Sequence, residues 1–285
     1  MARPHIEYIQ NQVLPWKTLG AGASRPGADG RALSYDPDTK AVSVVMRYPQ
    51  SWAMPDAHYL PCDEEFLVLD GVLSVGSVDY RRGDYAYLPA GMPRPSMASD
   101  IGAVVLTFFE GPHASVFGDA PLGLYDPARL IARIETEKIP WGKPSDPLVA
   151  ALANNPGRKV LRDDVRTGER TWILTFGPDD PTKLTEGKIE THPVVEEFFL
   201  LDGDIHMPCG VLRPGAYTWR PGGIEHGPVG TRGGMTCFFR CKEGPMTTHW
   251  SERAKPIPWD APYDPVLPEA LRPLAKQPID ATATY

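Results

Sequence analysis

The sequence lacks the run of about 18 apolar residues that a membrane-spanning helix needs. It also lacks any block of roughly five or more like charges. Its formal charge of −7, from 36 acidic and 29 basic residues, gives no sign of the basic patch of a nucleic-acid binder. The opening segment MARPHIEYIQ has no apolar core of a secretory signal. We therefore expect a cytoplasmic protein with no nucleic-acid or membrane partner.

Cysteine is scarce, with four residues at positions 62, 209, 237 and 241. Only Cys237 and Cys241 are close in sequence, and on a strand they would lie about 13 Å apart, too far for a disulfide. There is no CxxC pair of the kind that binds zinc through thiolates. We expect reduced, partly buried thiols that take no part in chemistry.

Glycine and proline, by contrast, are abundant, with 27 and 32 residues among 285. This share indicates many turns between short elements and favours an all-β fold over a helical bundle. The length itself predicts two domains of ordinary size. Strand-like segments such as EFLVLDG and DYAYLP follow one another without intervening helices, which is typical of an antiparallel barrel or sandwich.

An internal repeat explains the two domains. Residues 64–71 read EEFLVLDG and residues 196–203 read EEFFLLDG, with six of eight positions identical at an offset of 132. The same offset relates Gly83, Tyr85, Pro89 and Gly91 to Gly215, Tyr217, Pro221 and Gly223. A constant offset across two separated blocks indicates that the domains are copies of one another.

The repeat predicts four segments. Residues 1–125 form the first copy, and residues 126–160 form a linker with a short helix, indicated by the apolar residues Leu130, Ile131 and Ile134 before Pro140. Residues 161–254 form the second copy. Residues 255–285 form a proline-rich tail.

The second copy contains a candidate metal site. Glu190 and His192 alternate on one strand and therefore face the same side, and Glu196 follows on the next strand. The turn PGGIEHG then ends near His226. Two imidazoles and two carboxylates converging inside a barrel indicate a divalent metal, one per chain. This donor set is compatible with Fe, Mn, Zn, Ni or Co.

These motifs resemble those of the cupin superfamily, and specifically of two-cupin proteins. The resemblance rests on Glu196 with Gly203 seven residues later, and on Gly215, Pro221, Gly223 and His226 at the spacing of the second cupin motif. It implies an all-β fold of two tandem cupin (jelly-roll) barrels with a short helical linker. The second copy departs from the pattern at one position, where Glu190 replaces the expected first histidine ligand.

The first copy keeps the framework but loses ligands. His58 and Glu64 stand at ligand positions, whereas Leu60 and Arg94 replace the two remaining histidines. The permanent positive charge of Arg94 repels a metal ion, so we expect this site to be degenerate. We also expect Arg94 to form an ion pair with Glu64 there.

The segment KIETH resembles ureidoglycine aminohydrolases, and EEFFLLDG and YTWRPGGIEHGP resemble dihydroxyacetophenone-dioxygenase-type cupins. Family resemblance favours an Fe(II) dioxygenase that cleaves a C–C bond next to a carbonyl or enol of a small molecule, with Fe or Mn the favoured metals. A Mn- or Zn-dependent hydrolase, lyase or isomerase is the first alternative. A non-catalytic cupin that senses a metal or ligand is the second.

The substrate pocket is less well defined by the sequence. Phe198 and Leu200 share strand parity with Glu196 and are predicted to lie beside the metal. Trp172 and Trp219 are further candidates for the pocket wall, although core packing also explains both. A homodimer is compatible with the sequence but does not follow from it.

Overall fold

The computed structural model describes residues 3–20, 23–144, 146–152, 154–279 and 285. The chain divides into two compact units. The first unit contains Leu14–Ile139 together with Met1–Arg3, and the second contains Pro140–Tyr285 together with Pro4–Val13. Within the described ranges, no helix has the length and hydropathy needed to cross a membrane.

The first unit is built from short antiparallel strands. They are β2 (Lys17–Thr18), β3 (Asp29–Tyr35), β4 (Val42–Tyr48), β5 (Trp52–Met54), β6 (His58–Tyr59), β7 (Glu64–Val75), β8 (Val78–Arg81), β9 (Asp84–Leu88), β10 (Met97–Ser99), β11 (Ala103–Phe109), β12 (Val116–Phe117) and β13 (Ile131–Glu135). The main sheet has the order β13-β9-β7-β11-β4-β3-β2. β8 and β10 pair with the C-terminal part of β7, and β5 pairs with β10. β6 and β12 form a separate two-stranded sheet.

The second unit takes one strand from the start of the chain, β1 (Ile6–Gln10). Its other strands are β14 (Gly157–Asp163), β15 (Arg170–Phe176), β16 (Glu186–Thr191), β17 (Val195–Gly203), β18 (Ile205–Met207), β19 (Gly210–Leu212), β20 (Ala216–Arg220), β21 (Met235–Lys242) and β22 (His249–Pro256). The main sheet has the order β1-β20-β17-β21-β15-β14, and the pairs β16-β22 and β18-β19 lie outside it. The predicted first segment, residues 1–125, included this N-terminal strand, whereas the structure places the strand in the second unit.

The sequence repeat lies on strands with equivalent neighbours. EEFLVLDG lies in β7 between β9 and β11, and EEFFLLDG lies in β17 between β20 and β21. The motif glycine at the end of each segment has a positive φ, +73° at Gly71 and +82° at Gly203. A Cβ at Gly203 would lie 1.8 Å from the carbonyl oxygen of Gly234, so a close backbone approach as well as the φ angle requires glycine there.

The hydrogen-bonded sheets are open layers and not closed barrels, which corrects the expectation of barrels. Each main sheet ends in two edge strands, β13 and β2 in the first unit and β1 and β14 in the second. The apolar faces of the strands form one buried cluster in each unit, around Phe66 and Leu88 in the first and around Phe198 and Leu200 in the second. All four cysteines are free and buried.

The predicted helix between the copies is wrong in its position. Ile131 and Ile134 lie in β13, which pairs with β9, between the 3₁₀ helices Pro127–Arg129 and Thr136–Lys138. Pairing with an open sheet edge therefore overrides the apparent helical spacing. A short α-helix does occur later, at Pro147–Leu152. Two further 3₁₀ helices are Asn11–Val13 and, in the proline-rich tail, Leu274–Lys276.

Candidate metal centre

Three side chains of the second unit converge at one end of its strands. Glu190 lies near the end of β16, His192 follows that strand, and His226 lies in the turn after β20. Glu190 and His226 exchange main-chain hydrogen bonds of 2.9 and 3.0 Å. This bridge holds β16 beside the turn, so that one donor atom from each of the three side chains lies within 4.8 Å of the others.

Both histidines present a nitrogen to this cluster. Nδ1 of His192 donates to the carbonyl oxygen of Thr247 at 3.1 Å, and Nδ1 of His226 donates to that of Ile224 at 3.0 Å. In a neutral imidazole the proton on Nδ1 leaves a lone pair on Nε2. Both Nε2 atoms are buried without a hydrogen-bond partner. A carbonyl that fixes the far ring nitrogen is the arrangement typical of metal-binding histidines.

Glu196, the fourth predicted ligand, lies beside this triad but already has a partner. Its Oε1 is 3.7 Å from Nε2 of His192, and its Oε2 is 3.4 Å from Nε2 of His226. Arg220, which faces Glu196 across the β17–β20 ladder, donates from Nη1 to the same Oε2. Burial raises the pKa of Glu196, but Arg220 and the two histidines outweigh it and hold the pKa below its ordinary value. The Glu196 carboxylate is therefore ionised.

The charges of the site match a divalent cation. Glu7 of β1 accepts hydrogen bonds from Arg220, so one guanidinium is bonded to the carboxylates of Glu7 and Glu196, and Glu190 adds a third carboxylate to the cluster. With neutral imidazoles the cluster carries two surplus negative charges, which burial makes costly unless a cation balances them. Burial and Arg220 lower the pKa of His226, but Glu196 and Glu190 outweigh them and raise it. The donor set and its charge thus fit a divalent metal ion.

A cavity of about 610 Å³ opens beside the triad. Its walls are mainly apolar and include Trp172, Phe198, Ile205, Met207, Val229 and Phe239. The rings of Trp172 and Phe239 stack at 5.4 Å with an angle of 4° between their planes. This volume and this lining lie within the range found in small-molecule sites of other proteins.

The predicted pocket residues divide into two pairs. Trp172 and Phe198 line the cavity. Leu200 has the expected strand parity but is fully buried in the hydrophobic cluster of the second unit, and it does not line the cavity. Trp219 is paired with Glu197 and not with Glu196, so it lies on the opposite face of the sheet. Assigning Leu200 and Trp219 to the pocket is therefore corrected.

The equivalent place in the first unit has the opposite charge. His58 and Arg94 exchange main-chain hydrogen bonds, and the expected Arg94–Glu64 ion pair is present at 3.0 Å. A second guanidinium, that of Arg25, donates to both oxygens of Glu64 at 2.8 Å. Burial raises the pKa of Glu64, but Arg25 and Arg94 outweigh it and hold the pKa below its ordinary value. Two guanidiniums against one carboxylate leave a positive cluster that repels cations.

Sequence reasoning missed Arg220, Glu7 and Arg25. Arg220 immediately precedes the motif residue Pro221, and pairing the repeated strands in register would have placed it opposite Glu196. Glu7 lies 213 residues from its partner, and no local pattern indicates that contact. Arg25 lies in the loop before β3, which carries no motif.

Comparison with known proteins supports a cupin fold. Residues 5–114 match the family of ChrR cupin-like domains. No curated protein matches the chain. A crystal structure from Nostoc punctiforme, of a protein provisionally assigned as a dioxygenase, superposes with a TM-score of 0.74 at 18% identity, covering 87% of this chain and 91% of that one.

Oxalate decarboxylase of Bacillus subtilis is a second structural likeness. Its TM-score is 0.55 at 13% identity, with coverage of 85% of this chain and 78% of that one. One structure of that enzyme concerns its Mn(II) centres. At these identities the likenesses describe the fold alone. Together with the matched domain, they show a cupin-like fold.

Proposed function

We propose that the chain is a two-cupin, metal-dependent dioxygenase that cleaves a C–C bond next to the carbonyl or enol of a small organic substrate. The metal of this proposal is Fe(II), bound once per chain in the second unit. The observation that carries it is the set of two histidines and one carboxylate, His192, His226 and Glu190, within 4.8 Å of one another at the cavity. Such a set with open positions is typical of non-haem iron oxygenases.

When bound, the metal would supply redox chemistry and polarise a carbonyl or enol oxygen of the substrate. The protein's part is to hold the three ligands in one orientation. The carbonyl oxygens of Thr247 and Ile224 fix the two imidazole rings, and the main-chain bridge to His226 fixes Glu190. This preorganisation is what a reactive centre requires of its scaffold.

The cavity walls define what kind of substrate enters. Trp172 and Phe239 stack in parallel, and the ring of Phe198 lies 5.3 Å from that of Phe239 at an angle of 43°, so three aromatic rings line the cavity beside the triad. A planar or aromatic carbonyl compound fits this surface better than a highly charged metabolite does.

The first unit has a structural role in this proposal. Its Glu64 is held by Arg25 and Arg94, and this positive cluster disfavours a second metal. The likeness to the Nostoc protein is in keeping with an oxygenase, since its provisional assignment names that reaction class. The two copies would then be one metal-binding cupin and one that supports the fold.

Oxygen uptake during turnover tests the proposal. The protein is purified anaerobically, loaded separately with Fe(II), Mn(II) or Zn(II), and mixed with a panel of aromatic and aliphatic carbonyl and enol compounds. We expect oxygen consumption with the iron form alone, its loss in His226→Ala, and its retention in the exposed control Glu225→Gln. Turnover by the zinc or manganese form without oxygen would instead identify a hydrolase, lyase or isomerase. Tight ligand binding without turnover would identify a sensor.

A further inference from the structure

Arg220 lies between two buried carboxylates. It donates from Nε and Nη2 to Glu7 at 2.7 and 2.5 Å, and from Nη1 to Glu196. The side chains of all three residues are at most 10% exposed. One guanidinium therefore joins the N-terminal strand to the metal centre.

The position of Arg220 does not depend on Glu196. The bidentate geometry with Glu7 uses two of its donors, and such fork-like pairs fix both the place and the plane of a guanidinium. Glu7 is itself fixed, because its main chain exchanges hydrogen bonds of 2.8 and 3.2 Å with Val266 and because β1 pairs with β20. Arg220 is thus presented to Glu196 by the strands around it.

This contact weakens Glu196 as a ligand. Oε2, the oxygen 3.4 Å from Nε2 of His226, is the one that accepts from Arg220. A guanidinium bonded to a carboxylate neutralises the charge that would attract a metal ion. Glu190 differs, because among the described residues no arginine or lysine forms an ion pair with it. Its carboxylate is therefore the better ligand.

We propose that Arg220, positioned by Glu7, keeps the Glu196 carboxylate out of the metal's coordination, so that Glu190, His192 and His226 alone bind the ion. A coordination position is then left open for substrate that a four-ligand cupin would fill. Arg220 and Glu7 are positioning residues in this scheme. It rests on the metal-dependent function proposed above.

Co(II) is a suitable probe, because its visible absorption spectrum reports the number and type of ligands and its binding is measured by titration. We expect Glu196→Gln to keep the wild-type spectrum and to change the Co(II) dissociation constant by less than about tenfold, the lower end of effects outside the coordination shell. Glu190→Ala should weaken binding by more than about a hundredfold, beyond the usual range of such effects. Glu225→Gln, on the exposed turn, is the matched control.

Arg220 is tested in the same way. Arg220→Met frees Glu196, so the spectrum should change to that of a centre with an added carboxylate, and Glu196→Gln in that background should reverse the change. Glu7→Gln loosens Arg220 and should give a mixture of the two spectra. Arg220→Lys keeps a positive charge beside Glu196 and should keep the wild-type spectrum. If Arg220→Met does not fold, the comparison of Glu196→Gln with Glu190→Ala still shows whether Glu196 is a metal ligand.

Two results overturn the proposal, and they differ. If Glu196→Gln loses affinity and changes the spectrum as Glu190→Ala does, Glu196 is a ligand; the role of Arg220 is then wrong while the metal centre stands. If Glu190→Ala and His226→Ala bind Co(II) as the wild type does, the metal centre itself is wrong, and the proposed function fails with it.

Discussion

Arg94 and His226 occupy equivalent places in the backbones of the two units. Arg94 exchanges main-chain hydrogen bonds of 3.0 and 2.8 Å with His58, and His226 exchanges bonds of 2.9 and 3.0 Å with Glu190. The two side chains at these equivalent positions have opposite effects on the charge of their sites. Arg94 adds a guanidinium at 3.0 Å from Glu64, whereas the buried Nε2 of His226 has no hydrogen-bond partner. Equivalent backbone bridges in the two units thus support two different electrostatic environments.

This contrast predicts a single metal ion per chain. The wild-type protein, reconstituted with Fe(II) or Mn(II) and desalted, should hold one ion, because the cluster around Glu64 carries surplus positive charge. His226→Ala and Glu190→Ala should each lose it, since each removes one of the three donors. Metal analysis of purified protein measures this directly.

The control for that experiment is Arg94→Ala, which should leave the metal content unchanged. Arg25 remains paired with Glu64 in this variant, so the first unit gains no cation site. Two ions per wild-type chain, or retention of the ion by His226→Ala, would contradict the assignment.

The sequence predicted those features that rest on short-range spacing. The repeat placed His58 and Arg94 at equivalents of Glu190 and His226, and the structure joins both pairs by the same backbone bridge. Strand alternation placed Phe198 on the cavity side. These succeeded because each depends only on residues a few positions apart or at a fixed offset.

The features that the sequence did not predict depend mainly on contacts between distant segments of the chain. Glu7 reaches Arg220 because β1 pairs with β20, and strand pairing between the two ends of a chain leaves no local pattern. The spacing of Leu130, Ile131 and Ile134 suggested a helix, but an open edge at β9 recruits Ile131 and Ile134 into a strand. Leu200 had the right parity and still missed the cavity, because parity does not fix depth along a strand.

Glu64→Gln should strongly destabilise the first unit. Glu64, Arg25 and Arg94 are almost fully buried, and removing the carboxylate charge leaves two guanidiniums facing each other. Breaking a buried pair from one side costs about 3–5 kcal/mol in the free energy of unfolding. Urea denaturation measures this loss, and metal binding in the second unit should be unaffected in the folded protein.

Glu137→Gln is the matched control, since this residue is exposed in the same unit. A surface change of this kind should stay within about 0.5 kcal/mol of the wild type. If the two substitutions cost the same, the ion pairs of Glu64 contribute nothing net to stability.

Glu7 should make stability depend on pH in the acid range. Burial raises the pKa of Glu7, but Arg220 and His5 outweigh it and lower the pKa from 4.5 to about 2. Because the folded-state pKa is the lower one, this contribution is fully present above about pH 4.5 and is lost as the pH falls towards 2. At about 1.4 kcal/mol per pKa unit, it amounts to about 3 kcal/mol.

The comparison of wild type with Glu7→Gln isolates that contribution. Urea denaturation at several pH values between 6 and 3 should show a steeper loss of stability in the wild type, so that the two curves converge at low pH. Glu225→Gln should follow the wild-type curve, because this residue is exposed. Parallel curves for wild type and Glu7→Gln would mean that Glu7 is not held ionised by Arg220.

Gly203 and Gly223 separate two reasons for a glycine in the motif, a positive φ angle and a close approach of neighbouring backbone. Both have a positive φ, +82° and +84°, which costs a residue with a side chain about 1–2 kcal/mol. A Cβ at Gly223 would meet nothing within 4 Å, whereas at Gly203 it would lie 1.8 Å from the carbonyl oxygen of Gly234. Gly223→Ala should therefore lower the free energy of unfolding by about 1–2 kcal/mol. Gly203→Ala should cost more than about 4 kcal/mol, because β17 and the turn before β21 must move apart. Equal losses in urea denaturation would show that the φ angle alone selects glycine at the end of β17.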